Sequence, residues 1–185
     1  MIVSNEAFSG SLKMALLLKR KLILQNNIDG ETVDYFIEGL EFLTCEDSNL
    51  PVNIIIGSSG GSAEAGLRIY DVVKNSKVRT IGTVESLANS MASIVLQGCN
   101  IREIYPHANI LIHSVDITRN IYDLKNRLEN VTKKASYFQN EIENILQQRT
   151  KISREEIKKI MDMGSDGKNF SAQEAFEKGL VDIVV

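Results

Sequence analysis

Apolar residues gather in short runs at Lys21 to Gln25, Val52 to Ile56, Val78 to Val84 and Ile110 to His113, each of strand length. Between the first three lie patterns of helical period. Thr32 to Leu43 carries Val33, Phe36, Ile37, Leu40 and Leu43 on one face, and Ala63 to Val73 repeats Ile69, Val72 and Val73. The early order is therefore βαβαβ. The unbroken Asn53-Ile54-Ile55-Ile56 reads as a strand buried on both faces, which predicts a parallel or mixed sheet covered by helices and an α/β fold class.

Met91 to Leu96 is apolar nearly all round, as a core helix can be and a surface helix cannot. From Ile121 the apolar positions then step alternately by three and four through Leu124, Leu128, Val131, Ala135, Phe138, Ile142 and Ile145. This seam predicts one helix over about 121–149, roughly 40 Å long, projecting from a globular head or lying along a partner. Ser153 to Glu156 and Ser171 to Glu174 both fit the Ser-x-x-Glu capping box, and Gly164 and Gly179 are placed to end the helices that follow. With no repeat, linker or shift of composition, residues 1–185 read as a single domain with a helical extension.

Composition narrows the function. Among 185 residues, 21 Lys and Arg face 24 Asp and Glu, so no positive excess draws a phosphate backbone and nucleic acid is not expected. Two cysteines without a Cys-x-x-Cys spacing, and two histidines, point to neither a zinc site nor a disulfide framework. The run Ala15 to Leu18 is broken at once by Lys19, Arg20 and Lys21, too short for a signal core or a membrane span, so a cytoplasmic protein is expected.

Two segments carry candidate chemistry. Gly57-Ser58-Ser59-Gly60-Gly61-Ser62 lies where the second strand ends and a helix begins, and adjacent glycines there let backbone N–H groups face an anion or a polarised carbonyl. The phosphate-binding Gly-x-x-x-x-Gly-Lys-Ser/Thr and the dinucleotide Gly-x-Gly-x-x-Gly are both absent. Ser86 to Ser93 follows the third strand, and Ser90 opens the buried helix. A serine there is an ordinary N-cap unless other groups converge on it; with partners, it is a nucleophile whose neighbour's N–H can hold an oxyanion. His113 ends the strand Ile110 to Ile112 and is the candidate base, while His107 after Pro106 reads as a solvated bystander. The third member of a triad would be Asp166, in the loop between the two capped helices, with Asp162 as its rival. Asp116 and Asp123 follow His113 closely in sequence and are less favoured, though not excluded.

In this order the chain resembles the proteolytic subunit of the Clp protease, a serine peptidase family with a crotonase-like fold. Residues 59–71 are similar to the family's Pro-Gly-Gly-x-x-x-Ala-Gly-x-x-Ile-Tyr-Asp, and Ala88-Asn89-Ser90-Met91-Ala92 to Ala-Ala-Ser-Met-Gly. Ile110 to His113 resembles the strand ending in the catalytic histidine. Residues 170–182 resemble the C-terminal Ser-Ala-x-Glu-Ala…Gly-Leu-x-Asp. Ser59, Asn89, Ala92 and Ser114 stand where the family has proline, alanine, glycine and often glutamine, which marks a divergent branch. Gly167 matches the family's aspartate, so Asp166 would serve only with a one-residue shift of the loop.

The resemblance implies a head of repeated ββα units with a protruding handle helix, and Ser90 as nucleophile, His113 as base and the N–H groups of Gly61 and Met91 as oxyanion hole. It implies a subunit without metal or cofactor, assembled in heptameric rings stacked in pairs, fed unfolded polypeptide by an AAA+ unfoldase. Two other functions stay open on the residues: a catalytically silent ring or scaffold subunit, and a crotonase-type acyl-CoA enzyme, which typically works with carboxylates rather than a Ser-His pair.

Overall fold

A computed structural model describes residues 12–117 and 121–185, with the side chains of residue 26 and of 121–127 outside the description. Residues 1–11 of the expected domain, Leu124 of the seam and the rival Asp123 therefore lie outside what is described. After a short helix at 12–17 (α1), the chain runs β1 (Lys21–Ile28), α2 (Gly30–Glu46), β2 (Val52–Gly61), α3 (Ala63–Lys74), β3 (Thr80–Asn89), α4 (Met91–Gly98), β4 (Ile101–Ile104) and β5 (Asn109–Ile112). There follow α5 (Ile121–Arg149), α6 (Arg154–Asp162), a 3-10 turn at Gly164–Asp166, β6 (Lys168–Ser171), α7 (Ala172–Glu177) and β7 (Ile183–Val184).

Among the described residues the strands form one seven-stranded sheet, parallel in the order β1-β2-β3-β4-β7. β3 changes partners along its length. Ile81–Val84 pairs with β4, whereas Leu87–Asn89 pairs with β5, which carries β6 antiparallel on its far side. Val52, Ile54 and Ile56 of β2 are fully buried, with Leu22 and Leu24 of β1 beside them. Their neighbours Ile23, Asn53, Ile55 and Ile81 are only half-buried. The expectation of two buried faces is thus met on one, because period-2 strands send alternate side chains to opposite sides and the second face is only partly covered within one chain.

The helices begin where the polar signals place them. Asp29 caps α2 by accepting from the Thr32 N–H, and Ser62 caps α3 by accepting from the Ala65 N–H. Ser171 and Glu174 form the reciprocal capping box. At α6 only half of the expected box exists. Ser153 accepts from the Glu156 N–H, but the Glu156 carboxylate is taken by Lys168 and Lys178. α4 is buried from end to end, as its apolar composition requires.

The glycine-rich segment differs from the expected turn. β2 continues through Gly61, paired with β1 across a register shift after Gln25, so the segment is a strand end rather than a loop. β3 likewise runs on to Asn89 and delivers Ser90 directly. β4, β6 and β7 carry no strand signal in the sequence: β7 has only two residues, and Ile-Arg-Glu-Ile and Lys-Asn-Phe-Ser lack the continuous apolar run that marks β5, a strand no longer than they are.

Candidate active site

Three elements end at the same cavity of about 820 Å³: β2 with Gly61, α4 with Ser90 and Met91 at its start, and β5 with His113 just past its end. Sheet pairing enforces this. Asn89 is in register with Leu111, and the Ser90 N–H donates to the Leu111 carbonyl at 2.8 Å, so serine and histidine leave neighbouring strands at the same edge.

Ser90 has φ 53° and ψ −126°, a conformation that costs a non-glycine residue about 1–3 kcal/mol and persists only where its surroundings impose it. They do so through Gly60. A Cβ on that glycine would stand 2.7 Å from Ser90 Cβ and 3.0 Å from the Met91 nitrogen, so only a bare backbone lets β2 come so close to the serine. Ser90 occupies the N-cap position of α4, but its side chain does not do a cap's work. Its Oγ makes no capping hydrogen bond; its carbonyl accepts from Ser93 Oγ at 2.6 Å and from the Ser93 N–H at 3.0 Å. The hydroxyl is left to the cavity. Met91 is the first residue of α4, so its N–H has no partner within the helix and points outward with the positive end of the dipole.

His113 has a side chain 16% exposed, set in the cavity wall, while His107 lies on the surface. Its Nδ1 is 2.6 Å from the Ser114 carbonyl oxygen and 4.0 Å from Asp116 Oδ2. No hydrogen bond joins the Ser90 hydroxyl to the ring in this resting arrangement. Such contacts are often long in unliganded sites and tighten with substrate.

The acid loop departs from expectation. Asp166 and Asp162 are exposed and neither makes an ion pair with His113. Gly167 is instead the loop residue against the His113 backbone and Cβ, with φ +53°. A Cβ there would collide with the Ile112 carbonyl oxygen and stand 2.6 Å from His113 Cβ. The loop approaches the histidine too closely for a side chain. Asp116, passed over for its nearness in sequence, is the carboxylate nearest the ring among the described residues, because the chain turns back after β5.

Sequence reasoning also missed the charged pair on the cavity rim. Lys134 of α5 meets Glu64 of α3 at 2.7 Å. Its hydrogen bond first, and its charge second, hold the Glu64 carboxyl below its usual range. The apolar part of the wall comes from Ile94, Phe138 and Ile142. Cys99 is no rival nucleophile, since burial pushes its thiol up to about 12.

The Clp protease family model matches residues 4–185. A protein named ATP-dependent Clp protease proteolytic subunit from Cyanophora paradoxa is 30% identical, over 90% of this chain and 84% of its own. ATP-dependent Clp protease proteolytic subunit 1 of Streptomyces avermitilis is 31% identical, over 96% of this chain and 81% of its own. Among solved structures, a ClpP1 mutant from Listeria monocytogenes superposes with a TM-score of 0.80, covering 94% of this chain and 95% of its own at 21% identity. That likeness is one of fold, and it is the crotonase-like α/β fold. Taken with a family match that runs nearly from end to end, these relatives place the chain in the Clp protease family.

Proposed function

We propose that the chain is a Clp-type serine endopeptidase subunit that hydrolyses peptide bonds of unfolded polypeptides. The observation that carries the reading is the strained Ser90, its hydroxyl free of any capping bond, facing the same cavity as His113 beside Gly61 and Met91. Ser90 Oγ attacks the peptide carbonyl carbon while His113 Nε2 takes its proton. The N–H groups of Gly61 and Met91 receive the oxyanion, each donor being worth about 3 kcal/mol in the transition state. The tetrahedral intermediate collapses, the imidazolium returns the proton to the leaving amine, and water repeats the cycle on the acyl-enzyme.

The wider reading carries rings of seven stacked in pairs through α5 and an AAA+ unfoldase as partner, supported by the long helix and by relatives named ATP-dependent proteolytic subunits, together with a cytoplasmic location and no cofactor, which rest on the family resemblance alone. No helix among the described residues is long and apolar enough to cross a membrane. A silent ring subunit is the competing reading, favoured by the absence of a carboxylate at position 167. Treatment with a fluorophosphonate decides between them: one adduct on Ser90, lost in Ser90→Ala, supports the peptidase, whereas intact rings without an adduct select the scaffold.

A further inference from the structure

His113 presents two nitrogens, and proton transfer with Ser90 needs only one. The other, Nδ1, faces two groups from the chain that leaves β5 directly after the histidine: the Ser114 carbonyl oxygen at 2.6 Å and Asp116 Oδ2 at 4.0 Å. This exit is pinned on both sides. The Ser114 N–H donates to the Gly164 carbonyl at 3.4 Å, and the Val115 N–H donates to Gln139 Oε1 of α5 at 2.8 Å. Gln139 is itself steered by donating to Glu143 Oε1 at 2.8 Å. From the 164–167 loop, by contrast, the residue packed on the His113 backbone and Cβ is a glycine with no room for a Cβ of its own, and Asp166 is exposed to solvent. The other charged side chains on the cavity wall, Glu64 from α3 and Lys134 from α5, pair with each other.

We infer that Asp116 is the acid that serves His113 in this chain, a positioning residue supplied by the histidine's own strand exit instead of by the distant loop; its catalytic meaning rests on the peptidase reading. The Ser114 carbonyl accepts the Nδ1–H bond and so fixes the tautomer, leaving Nε2 as the free base. When Nε2 takes the Ser90 proton the ring becomes a cation, and the carboxylate 4.0 Å from Nδ1 offsets that charge. The proton leaves again from Nε2 to the departing amine, and Asp116 stays ionised throughout. Its side chain is 55% exposed, so water weakens its effect and the gain is about tenfold, well short of that of a buried triad acid.

The test uses full-length protein in the His107→Gln background, which leaves His113 as the sole imidazole, labelled at Cε1 and titrated by NMR. Asp116→Asn and Asp116→Ser each change the ring's response to acid relative to the unsubstituted protein, in the direction that loss of a neighbouring negative charge requires. Asp116→Glu keeps most of the original behaviour, and Asp166→Asn leaves the titration unmoved. Labelling of Ser90 by a fluorophosphonate near neutral pH slows about tenfold in Asp116→Asn and not in Asp166→Asn. An unmoved titration in both neutral Asp116 variants, or an equal shift in Asp166→Asn, overturns the assignment. Because the titration needs no turnover, failure of the unsubstituted protein to label sinks the peptidase reading alone and leaves Asp116 to be judged by its effect on the ring.

Discussion

Arg102 of β4 closes on Asp182 at 2.6 Å, and the same guanidinium reaches Gln97 Oε1 at 2.6 Å and the carbonyls of Arg149 and Gly179 at 2.8 and 2.9 Å. One buried side chain thus ties α4, the end of α5 and the C-terminal segment to the sheet. Arg102→Met would strand two backbone carbonyls and the Gln97 amide oxygen, while water reaches the half-exposed Asp182 carboxylate, and the expected loss is about 2–3 kcal/mol in urea unfolding. A change below about 1 kcal/mol would show that water replaces the cation at no great cost.

The pair also sets the response to acid. Burial pushes the Asp182 carboxyl up, but the hydrogen bonds from Arg102 and the charges of Arg102 and Arg149 outweigh it, and the group sits below its ordinary 3.8. A lowered carboxylate contributes stability that is complete above its unfolded value and is lost as pH falls through its folded one. Melting temperatures should therefore hold down to about pH 4 and drop below it, with a shallower drop in Asp182→Asn.

Ser90 holds a backbone conformation open to glycine without penalty. Ser90→Gly should abolish fluorophosphonate labelling yet be more stable than Ser90→Ala by about 1–2 kcal/mol, as read by calorimetry. Equal stability of the two variants would mean that the strain is relieved elsewhere.

Gly66 of α3 lies under the start of α4, where an added Cβ would stand 2.6 Å from Met91 Cε and 2.9 Å from Met91 Cβ. Gly66→Ala should cost about 1–3 kcal/mol by overpacking and, by displacing the Met91 N–H, slow Ser90 labelling as well. A destabilised protein that still labels at full rate would separate the packing from the oxyanion site.

On α5, Leu128 and Tyr137 are 56% and 58% exposed, whereas Ile142 and Ile145 further along are buried against the head. On the proposed assembly through α5, Leu128→Glu should leave far-UV circular dichroism unchanged while lowering the sedimentation coefficient relative to the unsubstituted protein. Unaltered assembly would place the ring contact elsewhere.

The long elements were legible because their periodicity is their burial. Val33, Phe36, Leu40 and Leu43 of α2, and Ile142 and Ile145 of α5, are buried as the spacing predicts. Ser90 and His113 were legible from the residues, one before a readable helix and the other closing a readable strand, whereas Gly61 and Met91 came only from the family resemblance; all four line one cavity. The acid was not legible. Whether Asp166 or Asp116 faces the ring depends on the path of two short segments, and that path is set by bonds such as Val115 to Gln139 which no local pattern announces. Arg102 was unreadable for the same reason, its partners lying 80 residues away at Asp182 and 47 away at Arg149.

The divided pairing of β3 partitions the consequences of mutation across the sheet. Its first half is knitted to β4 and β7, where a substitution should register chiefly in how much heat or denaturant the chain withstands. The second half is knitted to β5 and, through it, β6, where the same chemical change alters the distance between a hydroxyl and an imidazole. Substitutions are thereby tolerated along one wing according to stability alone, while on the other they are also bound by the geometry of the cavity that Ser90 and His113 share.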